Sequence, residues 1–295
     1  MKPPSGALDG LVIVDKESGW TSHDVVARMR RIAGTRRVGH AGTLDPMATG
    51  VLILGVNRAT RLLGYLANKS KTYEATIRLG ATTITDDAEG EITAQCAPDD
   101  LARITEDLVE AELAGFRGEI KQRPSSVSAI KIGGVRSYAK VRAGEEVVLP
   151  ERAITIYRLE AKVIGRSSSH IDIAATVECS SGTYIRAIAR DLGSRLGVGG
   201  YLTSLRRTAI DSFTLESAKT LSELETELEL MPMVDAARLT FPTRWLNQSE
   251  QQALGHGIAV AESETGDVTA AIYEDSLIAL LQNSGAKAKP LAVFI

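Results

Sequence analysis

The chain has 295 residues and a mass of 31.5 kDa, with 44% hydrophobic and 24% charged residues. These are the proportions of a soluble protein with room for one large domain or a large and a small one, and no apolar run approaches the roughly 20 residues that cross a bilayer. Two cysteines, Cys96 and Cys179, without nearby histidines exclude a disulfide scaffold and a structural zinc site.

The first residues, Met1 to Gly6, are a short lead with neither the apolar stretch nor the cleavage site of a secretory signal, so the expected compartment is the cytoplasm. A net charge of -3 argues at first against a polyanionic partner. The distribution argues otherwise. Residues 1–80 carry 12 basic and 6 acidic side chains, residues 81–120 carry 2 and 11, residues 121–215 carry 15 and 8, and residues 216–295 carry 5 and 12. Two basic blocks alternating with two acidic ones predict a polyanion-binding face on an acidic body.

Leu11-Val12-Ile13-Val14 predicts a buried strand, and a helix follows with Ser22 as its N-cap, Asp24 in the first turn, Val25, Val26, Met29 and Ile32 at helical spacing and Gly34 as its stop. Residues 35–50 read as a long functional loop. Val51 to Leu54 returns to the core, and Thr72 to Leu79 alternates as a half-buried strand. Residues 99–113 suit an acidic amphipathic helix, 153–164 and 170–179 a strand pair, and Thr183 to Leu196 a helix capped by Ser180, Ser181 or Thr183. Short strands at 268–273, 277–282 and 291–294 suggest a small β-rich C-terminal domain. The fold class expected is α+β: a mixed, mostly antiparallel sheet with helices packed on it.

Chemistry concentrates in two segments. In Gly39-His40-Ala41-Gly42-Thr43-Leu44-Asp45-Pro46-Met47-Ala48-Thr49-Gly50, Gly34 and Gly39 have the spacing that opens a P-loop, but His40-Ala41 stand where Lys and Ser or Thr are needed, so that reading fails. Asp45 before a proline and between glycines suits an acid presented at a cleft; an ordinary Asp-Pro turn is the other reading. In Gly182-Thr183-Tyr184-Ile185-Arg186, an arginine in the first turn of a helix opposes the dipole and asks for an anionic partner, although it could simply be exposed.

The ordered set resembles the bacterial tRNA pseudouridine synthase B (TruB) family. It comprises Asp15-Lys16 with Gly19 and Ser22, the 39–50 segment, Lys71-Thr72-Tyr73, Arg123-Pro124, Ser128-Ala129-Ile130-Lys131 with Gly133 and Tyr138, the 182–186 segment, and Leu205-Arg206-Arg207-Thr208. The similarity runs in order over residues 10–215. Glu17 departs from a usual proline and Val127 from a common aromatic.

What this resemblance implies is a pseudouridine synthase domain at 1–236 and a PUA-like RNA-binding domain at 237–295. The implied activity is isomerisation of uridine fifty-five in the T arm of tRNA, with no metal, no organic cofactor, no membrane and no obligatory protein partner. Asp45 is then the nucleophile, Arg186 its ion-pair partner, and Tyr73 the residue that stacks on the flipped base and aids proton removal at C5. Tyr73 also shares a strand face with Ala75, Ile77 and Leu79, which by itself reads as core; the match to the family's pattern decides for function. His40 would hold the flipped-out arrangement, and Tyr184 would face the substrate. Lys16, Arg36, Arg37, Lys121, Lys131, Arg206 and Arg207 are the candidate phosphate contacts. A guide-dependent synthase of the dyskerin type and a non-catalytic RNA-binding or RNA-folding protein are the alternatives.

Overall fold

The structure, a computed structural model, describes residues 8–127, 131–132, 135–136 and 149–295. Its helices are α1 (Ser22–Ile32), α2 (Leu63–Ala67), α3 (Pro98–Ala102), α4 (Glu106–Ala114), α5 (Ile185–Arg195), α6 (Leu221–Thr226), α7 (Met233–Thr240) and α8 (Gln248–Gly255). The strands are β1 (Gly10–Lys16), β2 (Val38–His40), β3 (Thr49–Val56), β4 (Lys71–Leu79), β5 (Ala81–Thr83), β6 (Ile92–Gln95), β7 (Gly118–Gln122), β8 (Lys131–Ile132), β9 (Val135–Arg136), β10 (Arg152–Arg166), β11 (Ile171–Cys179), β12 (Gly200–Ile210), β13 (Phe213–Thr214), β14 (Thr243–Trp245), β15 (Val260–Ala261), β16 (Thr269–Tyr273), β17 (Ser276–Ser284) and β18 (Lys287–Val293). The architecture is α+β, as expected. Two compact units share the chain: one holds the described residues up to Pro46 with 51–67 and 211–295, the other those of 47–50 and 68–210.

In the first unit β1 lies beside β3, and β2 pairs antiparallel with β3, His40 opposite Leu54. Helix α1 presents Val25, Val26 and Met29 to Val12, Val14, Leu52 and Leu54, closing a dry cluster with Leu221 and Leu224. Its N-cap is Thr21, not Ser22: the Thr21 hydroxyl accepts from Asp24 N–H, and the Asp24 carboxylate accepts from Thr21 N–H, a reciprocal capping box. Ser22 becomes the first helical residue and is buried. β1 is tied to late sequence, since Leu11 N–H donates to Met231 O at 2.9 Å and Asp15 N–H to Lys219 O at 2.9 Å. Residues 243–293 form a five-stranded sheet, β14-β16-β17-β18-β15, around Leu246, Leu254, Ile278 and Leu281. The expected last strand is displaced to Lys287–Val293, and α7 straddles the expected 236/237 boundary.

The second unit is built on strands in the order β12-β4-β11-β10-β7. β4 alternates as its sequence requires, with Tyr73, Ala75, Ile77 and Leu79 buried, and α5 packs on β4 and β12. Arg78 donates to both carboxylate oxygens of Asp172 on β11 at 2.7 Å, and this pair holds the Asp172 carboxyl below the usual range. The single acidic helix expected at 99–113 is two, α3 and α4, because Thr105 caps a new start by accepting from Leu108 N–H.

Candidate active site

The segment around Asp45 has no regular structure, yet its backbone is held at several points. Ala41 N–H donates to Ile53 O at 2.9 Å. The buried Ser22 hydroxyl accepts from Leu44 N–H at 2.9 Å and donates to Leu44 O at 3.1 Å, gripping the residue before Asp45. On the other side Pro46 O accepts from Gly19 N–H at 2.9 Å and from Lys16 Nζ at 3.1 Å. Asp45 itself is half-buried. A carboxylate clamped at both flanking residues loses little entropy when it meets a reacting carbon.

Lys16 corrects the expectation that it meets phosphate. The residue is 0% exposed, and its ammonium donates to Glu17 O at 2.9 Å and Trp20 O at 2.8 Å as well as to Pro46 O. It is a cross-brace inside the protein. His40, at the end of β2, stands edge-on to His23 of α1, with ring centroids 5.6 Å apart at 76°. Two consecutive residues of α1, Ser22 and His23, therefore touch opposite ends of the 40–45 segment.

Arg186, in the other unit, is 4% exposed and sits in the first turn of α5. The N-cap there is Tyr184 with no side-chain cap, so the expected capping by Ser180, Ser181 or Thr183 does not occur. The Arg186 guanidinium donates to Thr85 O at 2.7 Å and Val127 O at 3.0 Å, and Nε lies 3.5 Å from the Asp87 carboxylate. The anionic partner demanded by its position includes Asp87, a residue that reading the sequence missed: Asp86-Asp87 open the acidic block and look like solvated surface. Asp87 is 3% exposed and is itself oriented, accepting from the Thr85 hydroxyl and from Glu89 N–H. Next door Arg190 pairs with Asp86 at 3.3 Å and donates to Arg123 O at 2.8 Å, and burial holds the Asp86 carboxyl above its usual range.

Tyr184 is pinned by the buried Gln122 amide, which donates to Tyr184 O at 3.0 Å and accepts from Tyr184 N–H at 2.9 Å. The Arg152 guanidinium lies over its ring, 4.7 Å from the centroid, so one ring face is already covered. Tyr73 is 8% exposed and opposes Val177 and Arg207 across the sheet.

Register separates Arg206 from Arg207. Arg207 opposes Tyr73 and shares its sheet face, whereas Arg206 opposes Glu74 and points to the other face, where it donates to the Thr49 hydroxyl at 3.1 Å beside a concavity of about 700 Å³. Arg207 is 1% exposed, which corrects its expected contact with phosphate. Its backbone also sets Gly50: with φ +102°, a Cβ at Gly50 would stand 2.1 Å from Arg207 O, so only glycine lets β3 and β12 pair here. Burial, and after it the charge of Arg207, pushes Lys71 down to about 8, while burial pushes the Cys179 thiol up to about 11. Arg36, Arg37 and Lys121 are exposed; the side chain of Lys131 lies outside the described residues. Among the described residues no cluster of His, Cys, Asp and Glu is placed to hold a metal, and no helix is long and apolar enough to cross a membrane.

Two family models match the chain: the TruB family pseudouridylate synthase N-terminal domain over residues 30–185, and the tRNA pseudouridylate synthase B C-terminal domain over residues 186–239. Relatives named tRNA pseudouridine synthase B include one from Paenarthrobacter aurescens, 56% identical over 97% of this chain and 95% of its own length. Another, from Streptomyces coelicolor, is 52% identical over 97% of both. A solved H/ACA RNP bound to a substrate RNA containing 2'-deoxyuridine includes a chain matching with TM-score 0.72 at 26% identity, over 97% of this chain and 85% of that one. A Cbf5-Nop10-Gar1 complex gives TM-score 0.71 at 28% identity, with the same shares.

Proposed function

The chain belongs to the TruB family of pseudouridylate synthases, which are isomerases, and we propose that it converts uridine fifty-five in the T arm of tRNA to pseudouridine without a guide RNA or obligatory protein partner. Its fold is that of the pseudouridine synthases. The observation that carries the reading is the Asp45 segment, braced on both flanks by Ser22 and Lys16 inside a region that the family model matches.

The reaction breaks the bond from ribose C1′ to N1 of uracil, makes one from C1′ to C5, releases the C5 proton to solvent and places a proton from solvent on N1, so that the composition of the nucleoside is unchanged. We assign the nucleophile to Asp45, whose carboxylate meets the electron-poor centre while the detached base turns over. Arg186 holds that carboxylate ionised and aimed, and Asp87 keeps the guanidinium in place. Tyr73 stacks on the base and aids proton removal from C5. His40, steadied by His23, holds the base out of its stack, a state that costs a few kcal/mol of unstacking. Tyr184 supports the substrate from its guarded position, and Arg36 and Arg37 meet phosphate. Residues 237–295 act as a PUA-like RNA-binding domain, and the protein works in the cytoplasm.

A bare T-arm hairpin carrying C5-tritiated uridine tests this. Release of tritium by the purified chain is the expected result. Release only when a guide RNA and partner proteins are added would make it a dyskerin-type enzyme, and tight binding without release in either setting would make it a non-catalytic RNA-binding protein.

A further inference from the structure

Five arginines crowd the last turns of α1 and the segment leaving it: Arg28, Arg30, Arg31, Arg36 and Arg37. The helix dipole favours cations at a C-terminus, which accounts for one or two of them. It does not account for the shape. Arg30, Arg31, Gly34, Thr35 and Arg36 line a concavity of about 690 Å³ with no acidic residue in its wall.

These charges are answered from within only in part. Arg28 takes the carboxylate of Glu225, which also attracts Arg31 from beyond ion-pair distance, and Arg30 donates to Val38 O at 3.3 Å. Among the described residues Arg31, Arg36 and Arg37 form no ion pair. Such a concentration of guanidinium groups is self-repelling, and a fixed fork geometry matches the oxygens of a phosphodiester.

The frame carrying them is rigid. Gly34 takes φ +62°, Thr35 N–H returns to Arg30 O at 3.2 Å, and the Thr35 hydroxyl donates to Asn57 Oδ1 at 2.8 Å while accepting from Arg37 N–H at 3.2 Å. Asn57 N–H in turn donates to Arg37 O at 2.7 Å. Guanidinium groups mounted on a fixed turn lose less freedom on binding than those on a loose loop. Arg36 precedes His40 by four residues, so their Cα atoms are at most about 14 Å apart, which keeps the concavity within a few nucleotides of the residue assigned to the flipped base.

We propose that this concavity is a backbone-binding site for two neighbouring phosphodiesters of the substrate RNA, on the strand flanking the extruded uridine, with Arg31 and Arg36 as the pairing groups and Arg30 at the rim. The inference rests on the reading that T-arm RNA is the substrate, and it adds where the RNA backbone is gripped outside the reacting pocket.

The test compares wild type with Arg31→Gln/Arg36→Gln, and with Arg103→Gln, an exposed arginine in the acidic block, as control. Kd for a T-arm hairpin is measured across a salt series, with KM and kcat alongside. In the double variant the slope of log affinity against log salt flattens by about 1.4 to 1.8, at 0.7 to 0.9 per lost phosphate, and the loss falls mainly on Kd and KM. The Arg103 variant keeps the wild-type slope. Wild type that neither binds nor converts the hairpin would sink the substrate reading; active wild type beside a double variant with unchanged slope would sink this site alone. Should the double variant fold poorly by thermal melting, Arg31→Lys/Arg36→Lys replaces it, keeping most of the slope and losing affinity. Neutral methylphosphonate linkages then locate the contact: two adjacent positions that weaken wild type should cost the variant much less. A scan in which every position costs both proteins equally, as it would if the concavity held an acidic protein segment, overturns the proposal.

Discussion

Replacing Lys16 by Met removes a buried ammonium and keeps most of its apolar stem, so the change takes away the hydrogen bonds to Glu17 O, Trp20 O and Pro46 O. Pro46 O retains Gly19 N–H, which leaves two carbonyls that lose a charged donor. At about 1 to 3 kcal/mol for each, less the relief of no longer burying a charge, the net loss is about 3 kcal/mol. Part of it appears as lower stability in urea unfolding. The rest appears in the reaction, because the brace lies immediately after Asp45 and a displacement of about 1 Å at a reacting group costs on the order of a hundredfold in rate. Single-turnover conversion of a T-arm hairpin should therefore fall at least about tenfold, while the salt dependence of RNA binding stays that of wild type, since a fully enclosed ammonium meets no phosphate. A Lys16→Met protein of wild-type stability whose salt slope has dropped by nearly one unit would refute the brace and restore Lys16 to the RNA-binding surface.

Asp45→Asn should abolish tritium release yet keep T-arm affinity within about tenfold, or 1.4 kcal/mol; multiple turnover by the verified variant would remove Asp45 from the chemistry. Asp87→Asn leaves Arg186 without its 3.5 Å carboxylate in a dry setting, so kcat should drop by about ten- to a hundredfold with KM little changed, and an unaltered kcat would show that Arg186 is held in place without Asp87. Lys71 gives a pH test. Its folded-state value of about 8 lies below the usual 10.5, so between these values the unfolded chain binds more protons and the stability of wild type relative to Lys71→Met should climb with pH, by up to about 1.4 kcal/mol per unit. A difference that stays flat from pH 8 to 10 in denaturant titrations would show that Lys71 is not deprotonated by its burial.

Local pattern carried the periodic elements. The alternation of β4 and the spacing of Val25, Val26 and Met29 in α1 are backbone geometry written directly into residue type, and both appear where expected. What failed were judgements about burial of charge. Lys16 and Arg207 look like phosphate contacts in sequence because a basic residue in a basic block looks solvated; the carbonyls that enclose Lys16 come from a loop thirty residues on as well as from its own turn. Asp87 is invisible in the sequence for the converse reason, since its partner Arg186 lies a hundred positions downstream. Ser22 reads as a cap because its hydroxyl has the chemistry for one, but Thr21 competes with the same chemistry and frees Ser22 to hold Leu44. Register decided the rest: Arg206 and Arg207 are adjacent in sequence and on opposite faces of a sheet whose neighbours could not be named in advance.

The bonds tying β1 to Lys219 and Met231 also set an order of events in time. At about 5 to 20 residues per second, a ribosome that has made β1 needs roughly 10 to 40 s more before its partners, about two hundred residues later, leave the tunnel. The unit containing Arg186 is complete once Ile210 has emerged, whereas the unit containing Asp45 still waits for 211–295. The nascent chain thus completes the unit that carries Arg186 first, and the segment that carries Asp45 is the last to be given a finished setting, so an interrupted translation product holds Asp45 outside its completed unit.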